Sequence, residues 1–166
     1  LLAEVATLAR RQERELRDWL YGADTPAGPT LVAGLRAEAA DVETAHRIPV
    51  ELVAVGDAPM SSSAAALVRA AREAMVNAAK HARTNRIDVY VEVAEDTAEI
   101  FVRDRGVGFD PDRIPDGRQG IRGSMVERMR RHGGDTRLRS TPGEGTEVVL
   151  TMPLRAAAAQ EESRDA

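Results

Sequence analysis

The stretch AEIFVRDRGVGFD (residues 98–110) decides how this chain is read. Side chains alternate across a β-strand, so Ala98, Ile100 and Val102 share one face and Asp104 is next in the same row. A row of core residues then ends in a carboxylate. A buried ionised acid without a donor is costly, so it must find one. The exocyclic amino group of an adenine is a suitable donor, because the ring beside it also wants an apolar pocket. Gly106 and Gly108 follow, and glycine lets backbone approach a ligand closely or adopt positive φ. The plainer reading is a turn, since two glycines between acids reverse a chain. A turn aspartate needs no such register, which counts against the turn alone.

Working outward, TEVVLTMPL (146–154) repeats the pattern: Val148, Leu150 and Met152 share a face that Thr146 begins. RIDVYVEVA places Ile87, Val89, Val91 and Val93 on one face and forms a predicted hairpin with AEIFVRD over EDT. IPVELVAVG (48–56) and DTRLRS (135–140) are the remaining predicted strands. Predicted helices cover residues 1–22, 31–46, about 64–83 and the segment GIRGSMVERMRRHGG (120–134). A serine in DAPMSSS is placed to cap the third helix. The order of elements implies an α+β fold, a two-layer sandwich with a mixed, mostly antiparallel sheet and helices on one face. The domain reading is a helix over 1–22, a Pro- and Gly-rich linker over 23–30, one catalytic-size domain over 31–154 and a disordered tail over 155–166.

The third helix carries REAMVNAAKHA. At about 100° per residue, Glu73, Asn77, Lys80 and His81 fall on one side, and Leu67, Ala71, Met75, Ala78 and Ala82 on the other. A polar stripe is most often a solvated helix face. A carboxylate and an amide oxygen one turn apart also suit Mg²⁺, which takes oxygen ligands alongside substrate phosphates. Between Arg103 and Arg131 eight arginines face five acids, an excess of positive charge in a chain of net charge −4. That local excess favours a polyphosphate. Gly120 and Gly123 open the fourth helix, whose N-terminal N–H groups suit an anion. The polar loop FDPDRIPDGRQ before it reads as a mobile lid.

Other classes are excluded or disfavoured. No GxxxxGK[ST] and no GxGxxG after a strand is present, so neither a P-loop nor a dinucleotide fingerprint applies. The absence of cysteine removes thiol catalysis and disulfides and suits a cytoplasmic setting. A net charge of −4 gives no reason to expect nucleic acid as a partner.

EAMVNAAKHA, DRGVGFD, GIRGS and GEGTEVVLTMPL, in this order, resemble the asparagine box, the two glycine boxes and the closing strand of the GHKL ATP-binding fold. The chain is similar in particular to catalytic domains of bacterial two-component sensor histidine kinases of the nitrate-sensor and desaturase-thermosensor type. The resemblance covers about residues 31–154. It implies Mg²⁺-ATP as ligand, Asn77 at the Mg²⁺ position and Asp104 at the adenine amino group, with Thr146 beside it. It places Gly106, Gly108, Gly120 and Gly123 at the hinge and lid, and Lys80 and His81 at phosphate-side positions. Glu73 occupies the place where ATP-hydrolysing relatives polarise water. Ser124 and Met125 depart from the commonest form of the second glycine box. The N-terminal helix resembles the end of a dimerisation and phosphoacceptor domain. None of His46, His81 or His132 is followed by an acid, as the family's acceptor histidine is. The resemblance therefore implies an acceptor-histidine domain elsewhere in a parent chain, a homodimer, a response regulator as partner and a cytoplasmic location. Serine kinases of the anti-sigma type, a nucleotide-sensing module without kinase activity, and conformational ATPases of the gyrase or chaperone type share the fold and remain alternatives.

Overall fold

A computed structural model of the chain describes residues 5, 12, 29–113 and 116–154, with backbone alone over 116–122. The expected N-terminal helix apart from Val5 and Gln12, most of the linker, and the tail over 155–166 lie outside the described residues. The described elements run α1 (Leu31–His46), β1 (Val50–Val55), α2 (Ser62–His81), β2 (Ile87–Ala94), β3 (Thr97–Asp104), a 3₁₀ turn (Pro111–Arg113), α3 (Asp116–Arg131), β4 (Asp135–Thr141) and β5 (Gly145–Pro153). The sheet order is β1-β2-β3-β5-β4, with β1 parallel to β2 and every other pair antiparallel. This is the expected α+β sandwich.

Local chemistry explains the ends of the elements. Ser61 caps α2, its Oγ accepting the Ala64 N–H at 3.1 Å. Thr30 caps α1 through the Ala33 N–H at 3.2 Å. Asp57, on the loop after β1, adds a second cap to α1: its Oδ1 accepts the N–H groups of Val32 at 3.0 Å and Ala58 at 2.8 Å. The tight turn over Glu95 and Asp96 closes the β2–β3 hairpin, with Glu95 at φ 55°.

One expectation needs correction. The sequence reads residues 105–119 as one irregular loop, with the fourth helix entered at Gly120. The structure starts α3 at Asp116 and inserts a 3₁₀ turn at Pro111–Arg113. The cost of internal glycines, about 1 kcal/mol each, is small enough for context to override.

Each strand puts one face against the helices. The row Val91–Ile100–Leu150 and the row Val89–Val102–Val148 are paired across β2, β3 and β5 and are buried. Each such aliphatic side chain contributes about 1.5–3 kcal/mol when removed from water. Helix α2 lies over them and is buried on more of its surface than a single stripe, because Ala64, Ala66, Ala70, Ala71, Ala74 and Ala78 let its neighbours approach closely. α1 supplies Leu31, Leu35 and Val42 to the same core.

Burial by itself would raise the Asp57 carboxyl. The Val32 and Ala58 amides, the Thr30 hydroxyl and the Arg36 charge outweigh it and hold the group below its ordinary value. A depressed folded-state value means that the ionised cap stabilises above the unfolded value, about 4, and is lost as pH falls through the folded one. Replacing Asp57 with Ala is expected to cost about 1 kcal/mol at neutral pH. The difference from wild type should vanish in urea melts on the acid side of that window.

Candidate nucleotide site

The next row of the sheet is polar. Cα pairing sets Asp104 between Ile87 on one side and Thr146 on the other, and Thr146 opposite Ser140. Asp104, Thr146 and Ser140 therefore continue the core-facing side beyond the apolar row Val102–Val148–Leu138. Asp104 is 4% exposed, while Ala98, Ile100 and Val102 before it are also buried. The alternation expected from the sequence holds to its last residue. Asp104 Oδ1 accepts the Gly106 N–H at 2.9 Å, a charge-assisted bond worth roughly 1.5–3 kcal/mol.

From these two rows Val102, Val148, Leu138, Asp104 and Thr146 form the floor of an open cleft. Helix α2 walls one side with Ala74, Asn77, Ala78 and His81, α3 contributes Met125, and the loop after β3 contributes Gly108 and Phe109. Asn77 and His81 are one turn apart, so both present to the same space. The result is an apolar slot with a carboxylate and a hydroxyl at one edge and an amide and an imidazole along one wall. That donor and acceptor set suits a planar heterocycle with a polar edge, bound next to a charged group.

Five of the residues singled out in the sequence thus meet in one cleft: Asn77, His81, Asp104, Gly108 and Thr146. The others are placed differently. Lys80 is exposed and outside the lining. Glu73 lies one turn before Asn77, but its Oε2 accepts from Arg128 at 2.8 Å, in a pair whose side chains are 21% and 33% exposed. The pair ties α2 to α3 behind Met125. Gly106 packs against the end of α2 rather than lining the cleft. A Cβ there would strike the Ala82 carbonyl oxygen, which already accepts the Val107 N–H at 2.7 Å. Gly108 has φ 60°, and a Cβ there would meet the Thr141 carbonyl oxygen. Gly123 lies within α3, and a Cβ added there would meet nothing within 4 Å. Gly120 falls in α3, and its surroundings lie outside the described residues.

The sequence reading missed Ser140, Phe109, Met125, Leu138 and Arg128. The alternation of β4 puts Leu138 and Ser140 on one face, and the spacing of Met125 and Arg128 puts them on one side of α3; both signals are visible once the cleft is known.

Fold and cleft together define an α+β domain of the GHKL type. Residues 62–156 match the family described as "Histidine kinase-, DNA gyrase B-, and HSP90-like ATPase". The chain belongs to this family. It is 32% identical over 89 residues to the signal transduction histidine-protein kinase/phosphatase DegS of Brevibacillus brevis, covering 54% of this chain and 23% of that protein. It is 32% identical over 111 residues to the nitrate/nitrite sensor protein NarX of Escherichia coli, covering 67% of this chain and 17% of that protein. The match therefore spans less than a quarter of the length of these relatives. Among solved structures, the ATP-binding domain of PrrB from Mycobacterium tuberculosis superposes with a TM-score of 0.58 at 23% identity, covering 74% of this chain and 92% of that one. The histidine kinase domain of a blue-light activated kinase from Erythrobacter litoralis superposes with a TM-score of 0.60 at 19% identity, covering 92% and 85%. Among the described residues no helix is long and apolar enough to cross a membrane.

Two glycines give opposite expectations. Gly106→Ala should destabilise by about 1–3 kcal/mol, because the new methyl meets backbone that cannot yield. Gly123→Ala should stabilise by up to about 1 kcal/mol, because the site is open and helical. Paired denaturant melts check both signs.

Proposed function

We propose that this chain is the ATP-binding catalytic domain of a two-component sensor histidine kinase. In this reading it holds Mg²⁺-ATP and presents the γ-phosphate to a histidine on the dimerisation domain of a longer parent, for relay to a response regulator. The observation that carries the reading is the buried Asp104 carboxylate at the edge of an apolar slot, in the segment that matches the family. Relatives named as histidine kinases favour this reading over a serine kinase of the anti-sigma type.

The slot fits an adenine: Val102, Val148, Leu138 and Met125 offer apolar surface, and Asp104 offers an acceptor to the amino group. Asn77 is the residue that would hold Mg²⁺ through its amide oxygen. Such an ion takes most of its ligands from phosphates and water. When bound, the ion supplies charge neutralisation on the phosphates. His81 stands on the same wall, one turn further along α2, and Lys80 next to it on the exposed side. In transfer, the acceptor imidazole nitrogen bonds to the γ-phosphorus as the bond to the β-phosphate oxygen breaks, ADP leaves, and the imidazole gives up its N–H proton. What the domain contributes is alignment and electrostatics. Glu73 is committed to Arg128, so its part in this reading is to hold α3 against α2 rather than to polarise water.

Asp104→Asn is expected to weaken binding of a non-hydrolysable ATP analogue at least about tenfold, as loss of a charge-assisted hydrogen bond implies. Asn77→Ala should remove the Mg²⁺ dependence of that binding. Calorimetry with and without Mg²⁺ checks both, and wild-type affinity in the two variants would overturn the site. Phosphate incorporation into a supplied acceptor-histidine domain, but not into an anti-sigma antagonist, separates the two kinase classes.

A further inference from the structure

Ser140 lies outside the cleft lining but touches two residues that form it. Its Oγ accepts the Phe109 N–H at 2.9 Å, lies 2.8 Å from Thr146 Oγ1, and donates to the Gly145 carbonyl oxygen at 3.2 Å. A serine hydroxyl has one hydrogen and two acceptor lone pairs. A carbonyl oxygen only accepts, so the contact to Gly145 uses the one hydrogen of Ser140. Both lone pairs then receive hydrogens, one from Phe109 and one from Thr146. All three contacts are satisfied together only when Thr146 is the donor in the Ser140–Thr146 pair. In that arrangement the Thr146 hydrogen points to Ser140 Oγ, and what Thr146 has left for the cleft is its lone pairs.

We propose that Ser140 is a positioning residue that sets base specificity, by turning the Thr146 hydroxyl into an acceptor beside Asp104 and by tying the Phe109 loop to β4. The inference rests on the nucleotide reading given above. Its physical content is an edge where Asp104 and Thr146 stand side by side in register and both side chains offer lone pairs. An amino group at the purine six position can donate to that edge. A keto oxygen at the same position meets only lone pairs, and a polar group left unpaired in a buried site is costly. Were Thr146 free to rotate, its hydroxyl could donate to a keto group and the discrimination would weaken. Two further features hold the arrangement. Ser140 and Thr146 are Cα partners across β4 and β5, so the sheet itself fixes their spacing. The Gly143 N–H donates to the Val107 carbonyl at 2.7 Å, so the turn between β4 and β5 and the loop after β3 are joined a second time.

The test compares ADP with IDP, which carry an amino and a keto group at the six position and, next to it, an acceptor N1 and an N1–H, in wild type, Ser140→Ala and Ser140→Thr. Calorimetry on the intact chain reads both affinities. Wild type should prefer ADP, Ser140→Ala should lower the ADP-to-IDP preference about tenfold, the factor that one modest hydrogen bond carries, and Ser140→Thr, which keeps a hydroxyl, should retain most of it. A Ser140→Ala protein that binds both nucleotides more weakly but in the wild-type ratio overturns the inference, because Ser140 then only supports the fold. If Ser140→Ala does not fold, Ser140→Cys, whose thiol is a weak donor and acceptor, gives the same comparison. Wild type that binds neither nucleotide overturns the nucleotide reading as well, whereas wild type that binds ADP with an unchanged ratio in the variants overturns this inference alone.

Discussion

The Asp104 carboxylate, 4% exposed at the end of the central strand, is the constraint around which the rest of the site is arranged. A carboxyl group in a row that otherwise holds Ala98, Ile100 and Val102 is tolerated only where hydrogen-bond partners reach it. The Gly106 N–H supplies one from two residues along the chain. That requires the backbone to bend back at once, and it does so by resting on the C-terminal end of α2 through the Val107 to Ala82 bond. The same bend brings Gly108 and Phe109 to the lining of the cleft. A single buried carboxyl group thus couples the strand, the end of the helix above it and the loop beside it.

Helix α2 serves the core and the cleft at once. Its alanines allow close packing on the sheet, and its remaining polar residues divide by direction. Asn77 and His81 turn to the cleft, Lys80 to solvent, and Glu73 to Arg128 of α3. A partly exposed ion pair of this kind contributes little to stability, about 1 kcal/mol at most. Its value is geometric, since it ties together α2 and α3, the two helices that bring Ala74, Ala78 and Met125 to the lining of the slot. A fold of this family serves kinases, gyrases and chaperones alike, and a fold alone does not state a function. The relatives that share sequence with this chain are named as sensor kinases, and the chemistry of the cleft is compatible with that use.

Much of this was legible in the residues. Period-two alternation in residues 87–93, 98–104 and 146–152 specified which side of three strands would be buried, and with it the unusual place of Asp104. Helical spacing put Asn77 and His81 on one side of α2. Glycine pairs marked the loop. These signals are local: each follows from a backbone period of 2 or 3.6 residues and needs no partner to be seen.

The rest required the chain to be folded. Nothing within ten residues of Glu73 indicates that Arg128, 55 positions on, takes its carboxylate. Nothing in the run DTRLRS indicates that its serine would face Thr146 across one strand pair and Phe109 across a loop. The start of α3 at Asp116 rather than at its glycines was set by context that outweighs a weak propensity. By itself the sequence determined which faces would be buried and that a carboxylate would end one of them, because alternation is a property of the strand. The tertiary structure alone decided which polar groups meet there, because pairing register and the packing of distant segments decide which side chains come within hydrogen-bond reach.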